Sequence, residues 1–462
     1  MAGIFSLLLA FSIVMGAYST ISMPSIEGFG ESDIHVPGDF APLPLPEPPS
    51  HIAGNTTARP NIMVRMLIGQ VFEMYGGSVR ILISNNDTRA FFLEELRFEW
   101  VGIGLDSAIM VNQRIPTGTT YVINALAIDG PPVSGPRDYQ LSIRLLQFRN
   151  NQWYRMLSGG DEWLTFSEQT IDVMPIFSGT SNPVSVNPRS YFGRVNDLVE
   201  FSTPGVINAT VEATAALAGG YDMGKVSAIF DWLVTNINYT EDPDGGDAWY
   251  SPEETLAMRA GDCEDYAMLL AAMVEHAGGT SRIYLTIDHA FAAVYVGNTS
   301  FDLDNASADI RAFYRTHLPI HYFSDEAGYW VVADPLGSFY MGGLAVGQEP
   351  ISFADGYWVS GFPDSGTLYS IDVTGTSAEQ PLWLDPLLWM GMIIVFGFLA
   401  LGYAVSAYSE KPQEIPQCPV CSANIGEDIY TCPACQTKYH RSCAFMTGHC
   451  RVCQAPIRYL PP

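Results

Sequence analysis

The stretch that decides the fold is residues 251–278, SPEETLAMRAGDCEDYAMLLAAMVEHAG. It reads as two helices meeting at a cysteine. Ser251 stands at an N-cap, Pro252 at the first helical position, and Glu254, three residues after the serine, completes a capping box. Ala260-Gly261 breaks this helix. Asp262 then caps a second one, whose apolar face is Tyr266, Leu269, Leu270, Met273 and Val274 and which Gly278 stops. Cys263 therefore falls in the first turn of a helix buried along one side. Unpaired backbone N–H groups and the positive end of the helix dipole favour a thiolate there.

A cysteine nucleophile needs a base, and the base needs a group to orient it. Residues 282–287 alternate like a strand, and Asp288-His289 introduces a second, AFAAVYV, which puts His289 at a strand edge. Residues 329–333 form a third apolar run that ends in Asp334-Pro335-Leu336-Gly337. An acid at a strand end can fix the tautomer of a neighbouring imidazole.

These segments, GDCEDYA followed by HAFAAVYVG and then YWVVADP, resemble the transglutaminase-like superfamily, with its Cys-His-Asp order on a papain-like core. GDCEDYA is most similar to the prokaryotic branch, whose members are usually taken to be cysteine peptidases. The preceding helical pattern (Val226, Ile229, Phe230, Leu233, Ile237, then Tyr239) is similar to the family's approach to the nucleophile, and the resemblance covers roughly residues 185–345. It implies that Cys263 attacks a carbonyl, His289 shuttles the proton and Asp334 orients His289. Asp304, in FDLDN, lies nearer to the histidine and is the alternative acid; Asp334 is preferred because it follows an aromatic-rich strand. The acids beside the cysteine, Asp262, Glu264 and Asp265, suit the helix dipole. A sharper reading, tied to secreted members of the family, is a calcium site at Asp262 and Glu264, since calcium takes hard oxygen ligands.

The chain has 462 residues, room for two or three domains, with 49 Asp+Glu against 22 Lys+Arg and a net charge of −27. Such a balance argues against nucleic acid as a partner. Residues 1–25 carry an apolar run without the usual basic start and read as a signal peptide or signal anchor. Residues 26–61 hold seven prolines between Pro37 and Pro60 and read as an extended linker with no core of its own. Residues 62–178 alternate with period two (Val79, Ile81, Ile83; Tyr139, Leu141, Ile143, Leu145), with Asn150-Asn151 as a hairpin turn. They suggest an Ig-like β-sandwich acting as a spacer or binding module. Residues 185–375 hold the transglutaminase-like domain.

Between Asp385 and Glu410 lie 24 residues without a charge, long enough to span a bilayer as a helix at 386–408. Trp383, Trp389, Tyr403 and Tyr408 sit where interfacial aromatics belong. The segment beyond is relatively basic, and all the glycosylation sequons (Asn55, Asn86, Asn208, Asn238, Asn298, Asn305) precede the run. The expectation is a membrane protein with its large N-terminal part extracytoplasmic and its tail cytoplasmic.

Seven of the eight cysteines fall in that tail. Cys418/Cys421, Cys432/Cys435, His440/Cys443 and Cys450/Cys453 form four pairs, each bracketing two residues, a spacing that lets both side chains reach one tetrahedral zinc. Eight ligands make two closed, structural sites in a segment too short to build a core without metal. The order, with Tyr439-His440 before the second cysteine of its pair, resembles RING and PHD fingers, in particular prokaryotic RING-like modules. The resemblance implies cross-bracing over 416–457: Cys418, Cys421, His440 and Cys443 on one zinc ion, and Cys432, Cys435, Cys450 and Cys453 on the other. A docking role for a cytosolic protein follows from that resemblance.

The expected architecture is α+β and multidomain: a β-sandwich, a papain-like transglutaminase core, one C-terminal transmembrane helix and a small zinc-bound RING-like module. The expected activity is that of a membrane-anchored cysteine hydrolase, a peptidase or amidase acting on an extracytoplasmic protein or peptide through a thioester. The Cys263 N–H would contribute to an oxyanion hole, with Trp249 or Tyr250 as the second donor. Two alternatives stand beside it. One is a protein-glutamine acyltransferase, which shares the acyl-enzyme. The other is a non-catalytic receptor or adhesin with a degenerate papain-like domain.

Overall fold

A computed structural model describes residues 35–166, 168–186, 195, 198–242, 248–373, 416–426 and 429–457. The first domain is all β. Strands β1 (Ile52–Thr56), β4 (Phe91–Trp100), β5 (Asp106–Ile115), β7 (Gly135–Arg149) and β8 (Gln152–Met156) form one sheet in the order β1-β8-β7-β4-β5, with β9 (Leu164–Thr165) and β10 (Gln169–Val173) paired to β7. Strands β2 (Ile62–Ile68), β3 (Gly77–Asn85) and β6 (Thr120–Ile128) form the other. The alternating residues of both sheets close one core around Ile81, Ile83, Leu96, Phe98, Trp100 and Ile143. Asn150 and Asn151 turn β7 into β8, both at positive φ (47° and 61°), the conformation a two-residue hairpin requires.

The proline-rich stretch is less idle than its composition suggests. Residues 52–56 pair in parallel with β8. Upstream, Gly38 N–H donates to the Tyr221 carbonyl, Phe40 packs on Phe313, and Arg315 donates to the Leu43 carbonyl. Prolines keep this strap extended, and exposed polar groups of the next domain hold it.

That domain opens with β11 (Val184–Val186) and the helices α1 (Pro204–Thr214) and α2 (Met223–Asn236). The short strand β12 (Asn238–Tyr239), helix α3 (Pro252–Met258), strand β13 (Ala260–Gly261) and helix α4 (Cys263–His276) follow. The capping box of α3 forms in full, and the helix stops at Arg259 in the left-handed region, φ 55°. At α4, Asp262 holds the N-cap position without a side-chain cap hydrogen bond. The sequence marks one apolar face on α4, but the helix is buried on all sides from Tyr266 to Val274. Ala267, Ala271 and Ala272 supply the second face; their small side chains let neighbouring elements approach closely.

One side of α4 meets α1, α2 and α3; the other meets β14 (Ser281–Leu285) and β15 (Ala290–Gly297). After α5 (Ser300–Tyr314) come β16 (Tyr322–Asp325), β17 (Gly328–Ala333), the hairpin β18 (Glu349–Ala354) with β19 (Tyr357–Gly361), and β20 (Leu368–Asp372). The sheet order is β11-β20-β14-β15-β17-β16. Buried Arg282 ties its strands together, pairing with Asp325 and Asp372 and lying 3.8 Å over the Trp330 ring.

The sandwich is locked to this domain by polar and apolar contacts. Arg80 donates to Thr235 Oγ1 at 3.0 Å, Asn124 donates to Asp231, and Phe72 and Tyr75 pack with Leu344. The last described segment holds β21 (Ile429–Thr431), β22 (Lys438–His440) and α6 (Arg441–Thr447).

One expectation is corrected. Length and freedom from charge are necessary for a membrane span, but a continuous apolar helix is also needed. Among the described residues no helix is long and apolar enough to cross a membrane, and 386–408 lies outside them, as does the signal segment 1–25. Over the described residues the architecture is mixed α+β, and no C-terminal transmembrane helix is among its elements. The division into an extracytoplasmic body and a cytoplasmic tail rested on that helix and goes with it.

Candidate active site

Three elements bring the candidate residues together. Cys263 opens α4, His289 immediately precedes β15, and Asp334 immediately follows β17, which pairs with β15. Antiparallel pairing thus sets the start of one strand beside the end of the other. His289 Nε2 lies 2.7 Å from Asp334 Oδ2, with both side chains buried. Asp334 Oδ1 accepts from Leu336 N–H at 3.0 Å and Oδ2 from Val346 N–H at 2.8 Å. With its carboxylate held on three sides, Asp334 directs Nε2 toward itself and leaves Nδ1 as the outward nitrogen. The imidazole also stacks on Phe291, with centroids 6.1 Å apart at 17°. Asp304 is elsewhere: it is exposed on α5 and accepts from the Tyr357 hydroxyl at 2.7 Å.

Cys263 and His289 line one cavity of about 340 Å³, together with Tyr239, Trp249, Asp288 and Ala290 and rimmed by residues 445–449. The thiol is half-buried and free. It donates to Glu264 Oε2 at 3.1 Å, and its sulfur accepts from the Ala290 N–H, the residue after His289. Burial pushes the thiol's pKa up; the Glu264 carboxylate pushes it further, and the Ala290 N–H opposes both. These surroundings oppose the thiolate expected from the helix terminus. A half-exposed dipole end is a weak effect, and desolvation beside a carboxylate outweighs it. Glu264 is thus more than a dipole-matched acid.

The Tyr250 N–H is taken up by Asp265 Oδ1 at 2.9 Å and so is not free to serve as an oxyanion-hole donor. Trp249 does line the cavity. Asp265 itself is fully buried, and its pKa is raised to about 7, first by burial and then by Asp262, against the Tyr250 N–H. The carboxylates of Asp242, Asp262 and Glu264 lie within 4.8 Å of one another. Such acidic groups are common without an ion, so the calcium expectation gains only proximity from them.

In the tail, Cys418, Cys421, His440 and Cys443 converge, as do Cys432, Cys435, Cys450 and Cys453, each set with its ligand atoms within 4.8 Å. Three Cys-x-x-Cys turns share one geometry. Ser422, Gln436 and Gln454 each take a left-handed conformation (φ 60°, 59° and 61°) and donate to the carbonyl of Cys418, Cys432 and Cys450 respectively. Sulfur–sulfur distances of 3.5 Å (Cys435–Cys450) and 3.7 Å (Cys432–Cys453) approach the roughly 3.8 Å edge of a tetrahedron with zinc–sulfur bonds of about 2.3 Å. His440 Nε2 lies 2.9 Å from the Asn424 carbonyl, to which it must donate, leaving Nδ1 toward Cys421 Sγ at 3.4 Å as a ligand. The donor set and its spacing fit zinc.

Comparisons with known proteins agree with this division. Residues 210–335 match the transglutaminase-like superfamily, and residues 413–459 match prokaryotic RING finger family 1. The chain is 27% identical over 190 residues to UPF0252 protein MJ1282 of Methanocaldococcus jannaschii, covering 34% of this chain and 53% of that protein. It thus spans about half the length of that curated relative. Among solved structures it is similar to a putative cysteine protease from Cytophaga hutchinsonii (13% identity, 59% of this chain, 75% of that one, TM-score 0.20). It is also similar to a native alpha-2-macroglobulin fragment from Escherichia coli (11% identity, 47% and 39%, TM-score 0.16). At such TM-scores neither says anything further about this chain. The cysteine, histidine and acid lie on the first matched segment and the eight converging cysteine and histidine side chains on the second: the chain carries a core of the transglutaminase-like superfamily and a prokaryotic RING finger.

Proposed function

We propose that the protein is a cysteine hydrolase that cuts peptide or amide bonds of a protein or peptide substrate. The observation that carries this reading is the His289–Asp334 pair beside Cys263 in one open cavity. Cys263 Sγ attacks the substrate carbonyl carbon while its proton passes to His289, which acts as general base for a thiol whose burial and Glu264 neighbour disfavour the thiolate. The C–N bond then breaks, the proton moves from His289 to the leaving amine, and a thioester remains on Cys263. Water, deprotonated by His289, hydrolyses the thioester and regenerates the thiol. Asp334 holds the imidazole in the required tautomer and balances its transient charge. The two clusters of the RING finger each hold one zinc ion, a structural rather than catalytic role. The finger serves as a docking module for a protein partner.

Transfer to an amine would share every step up to the thioester, so the acceptor decides. The full-length protein is incubated with denatured protein, with and without a fluorescent primary amine. New amino termini or released ammonia, with no amine incorporated, are expected. Amine incorporation outpacing hydrolysis would make the protein an acyltransferase. No turnover on any substrate, with Cys263 inert, would favour the non-catalytic alternative.

A further inference from the structure

The histidine's orienting acid does not stand alone. Asp334 Oδ2, the oxygen that meets His289, also accepts from Val346 N–H at 2.8 Å, and Val346 sits on a loop without regular structure. Gln348 shapes that loop. Its Oε1 accepts from Ala345 N–H at 3.0 Å, its own N–H donates to the Ala345 carbonyl at 3.0 Å, and its Nε2 donates to Ser360 Oγ at 2.8 Å.

From Ser360, itself half-buried, a chain of polar contacts leads into the interior. Ser360 Oγ lies 3.1 Å from His321 Nδ1, and His321 Nε2 lies 3.0 Å from the hydroxyl of Tyr75, a residue of the β-sandwich. Near Tyr75 stands Tyr340, whose hydroxyl donates to the Pro319 carbonyl at 2.8 Å. Both ring nitrogens of His321 are engaged, by Ser360 and by Tyr75, and complete burial keeps the imidazole neutral, lowering its pKa to about 3, so that one nitrogen donates and the other accepts. Apolar contact reinforces the chain: Phe72 and Tyr75 of the sandwich pack against Leu344 of the same loop. Gln348 and His321 are 1% and 0% exposed, so losing one partner would leave a buried polar group unpaired.

We propose that Gln348, with Ser360, His321 and Tyr75 behind it, is a positioning residue that holds the Val346 N–H on Asp334, so that the β-sandwich takes part in aiming the catalytic base. This rests on the catalytic reading given above. A domain that reads from sequence as a spacer thereby becomes a structural component of the active site.

The test uses the full-length, zinc-loaded protein. It measures the rate of Cys263 alkylation by iodoacetamide at neutral pH, followed on the Cys263 peptide by mass spectrometry, alongside Tm. Gln348→Ala, Ser360→Ala and Tyr75→Phe are each expected to slow alkylation about tenfold per folded molecule, as a modest misplacement of the base would. Ser360→Thr, which keeps the hydroxyl, is expected to restore the rate. Tyr75→Phe keeps the ring packing and guards against simple loss of fold. Wild-type rates in the folded variants, whatever their Tm, would overturn the proposal. Equal rates in wild type and His289→Ala would instead remove the catalytic reading, and this positioning role with it.

Discussion

Cys263→Ala is expected to lower turnover by roughly 10⁴–10⁶-fold while leaving Tm close to that of the wild type. The rate loss follows from chemistry: among the described residues Cys263 is the one thiol lining the cavity with His289, and without a thioester the two-step route is closed. The small stability change follows from packing. The thiol is half-buried at an open cavity, so truncation leaves no sealed void. It also releases Glu264 from a contact that raises the thiol's pKa, so the carboxylate can be hydrated from the cavity. Asp334→Asn should also be damaging. Its Oδ2 accepts two hydrogen bonds, from His289 and Val346, and an amide nitrogen at that position would face two donors. Steady-state cleavage assays together with thermal melts check both variants. A Cys263→Ala protein of undiminished activity would end the cysteine-hydrolase reading.

Removing zinc is expected to unfold the RING finger outright while the two larger domains stay folded. The finger's core contains Cys418, Cys432, Cys443 and Cys450 themselves, with Ile425, Tyr439 and Ala444. Without metal, that core would bury thiolates or thiols against one another with little apolar area to offset the chain entropy. Structural zinc in finger peptides contributes on the order of 10–16 kcal/mol, far more than so small a core can supply. The sandwich and the transglutaminase-like core each have a large apolar cluster of their own, and the finger joins that of the core at Met446. The check is zinc stoichiometry, expected at two per chain, followed by limited proteolysis after chelation. Cleavage confined to 416–457 is the expected result. A protease-resistant finger after complete loss of metal would contradict it.

Much of the candidate site could be proposed from sequence because its residues sit at the ends of strongly patterned elements. The capping box of Ser251 and Glu254 and the glycine stop at Gly278 bracket the cysteine helix, and His289 and Asp334 flank two unmistakable apolar strands. Asn150-Asn151 announced its hairpin in the same way. What could not be read were contacts between segments distant in sequence. The effect of Glu264 on the thiol depends on a side-chain rotamer and on how deeply the helix start is buried. The chain from Tyr75 to Gln348 crosses a domain boundary and joins residues with no common motif. The strap before β1 looked structureless because proline content describes backbone stiffness but not what the backbone lies against. The charge-free run near residue 400 lies outside the described residues, and hydropathy measures composition, whereas spanning requires a helix that no described residues provide.

The central claim is that His289 activates Cys263. Its most direct measurement is labelling of the full-length protein with a peptidyl acyloxymethyl ketone, reading the modified peptide by mass spectrometry in wild type and in His289→Ala. The expected result is a single adduct on Cys263 in the wild type, forming at least about a hundredfold more slowly in the variant. Equal labelling of the two proteins, or adducts on the finger cysteines alone, would contradict it.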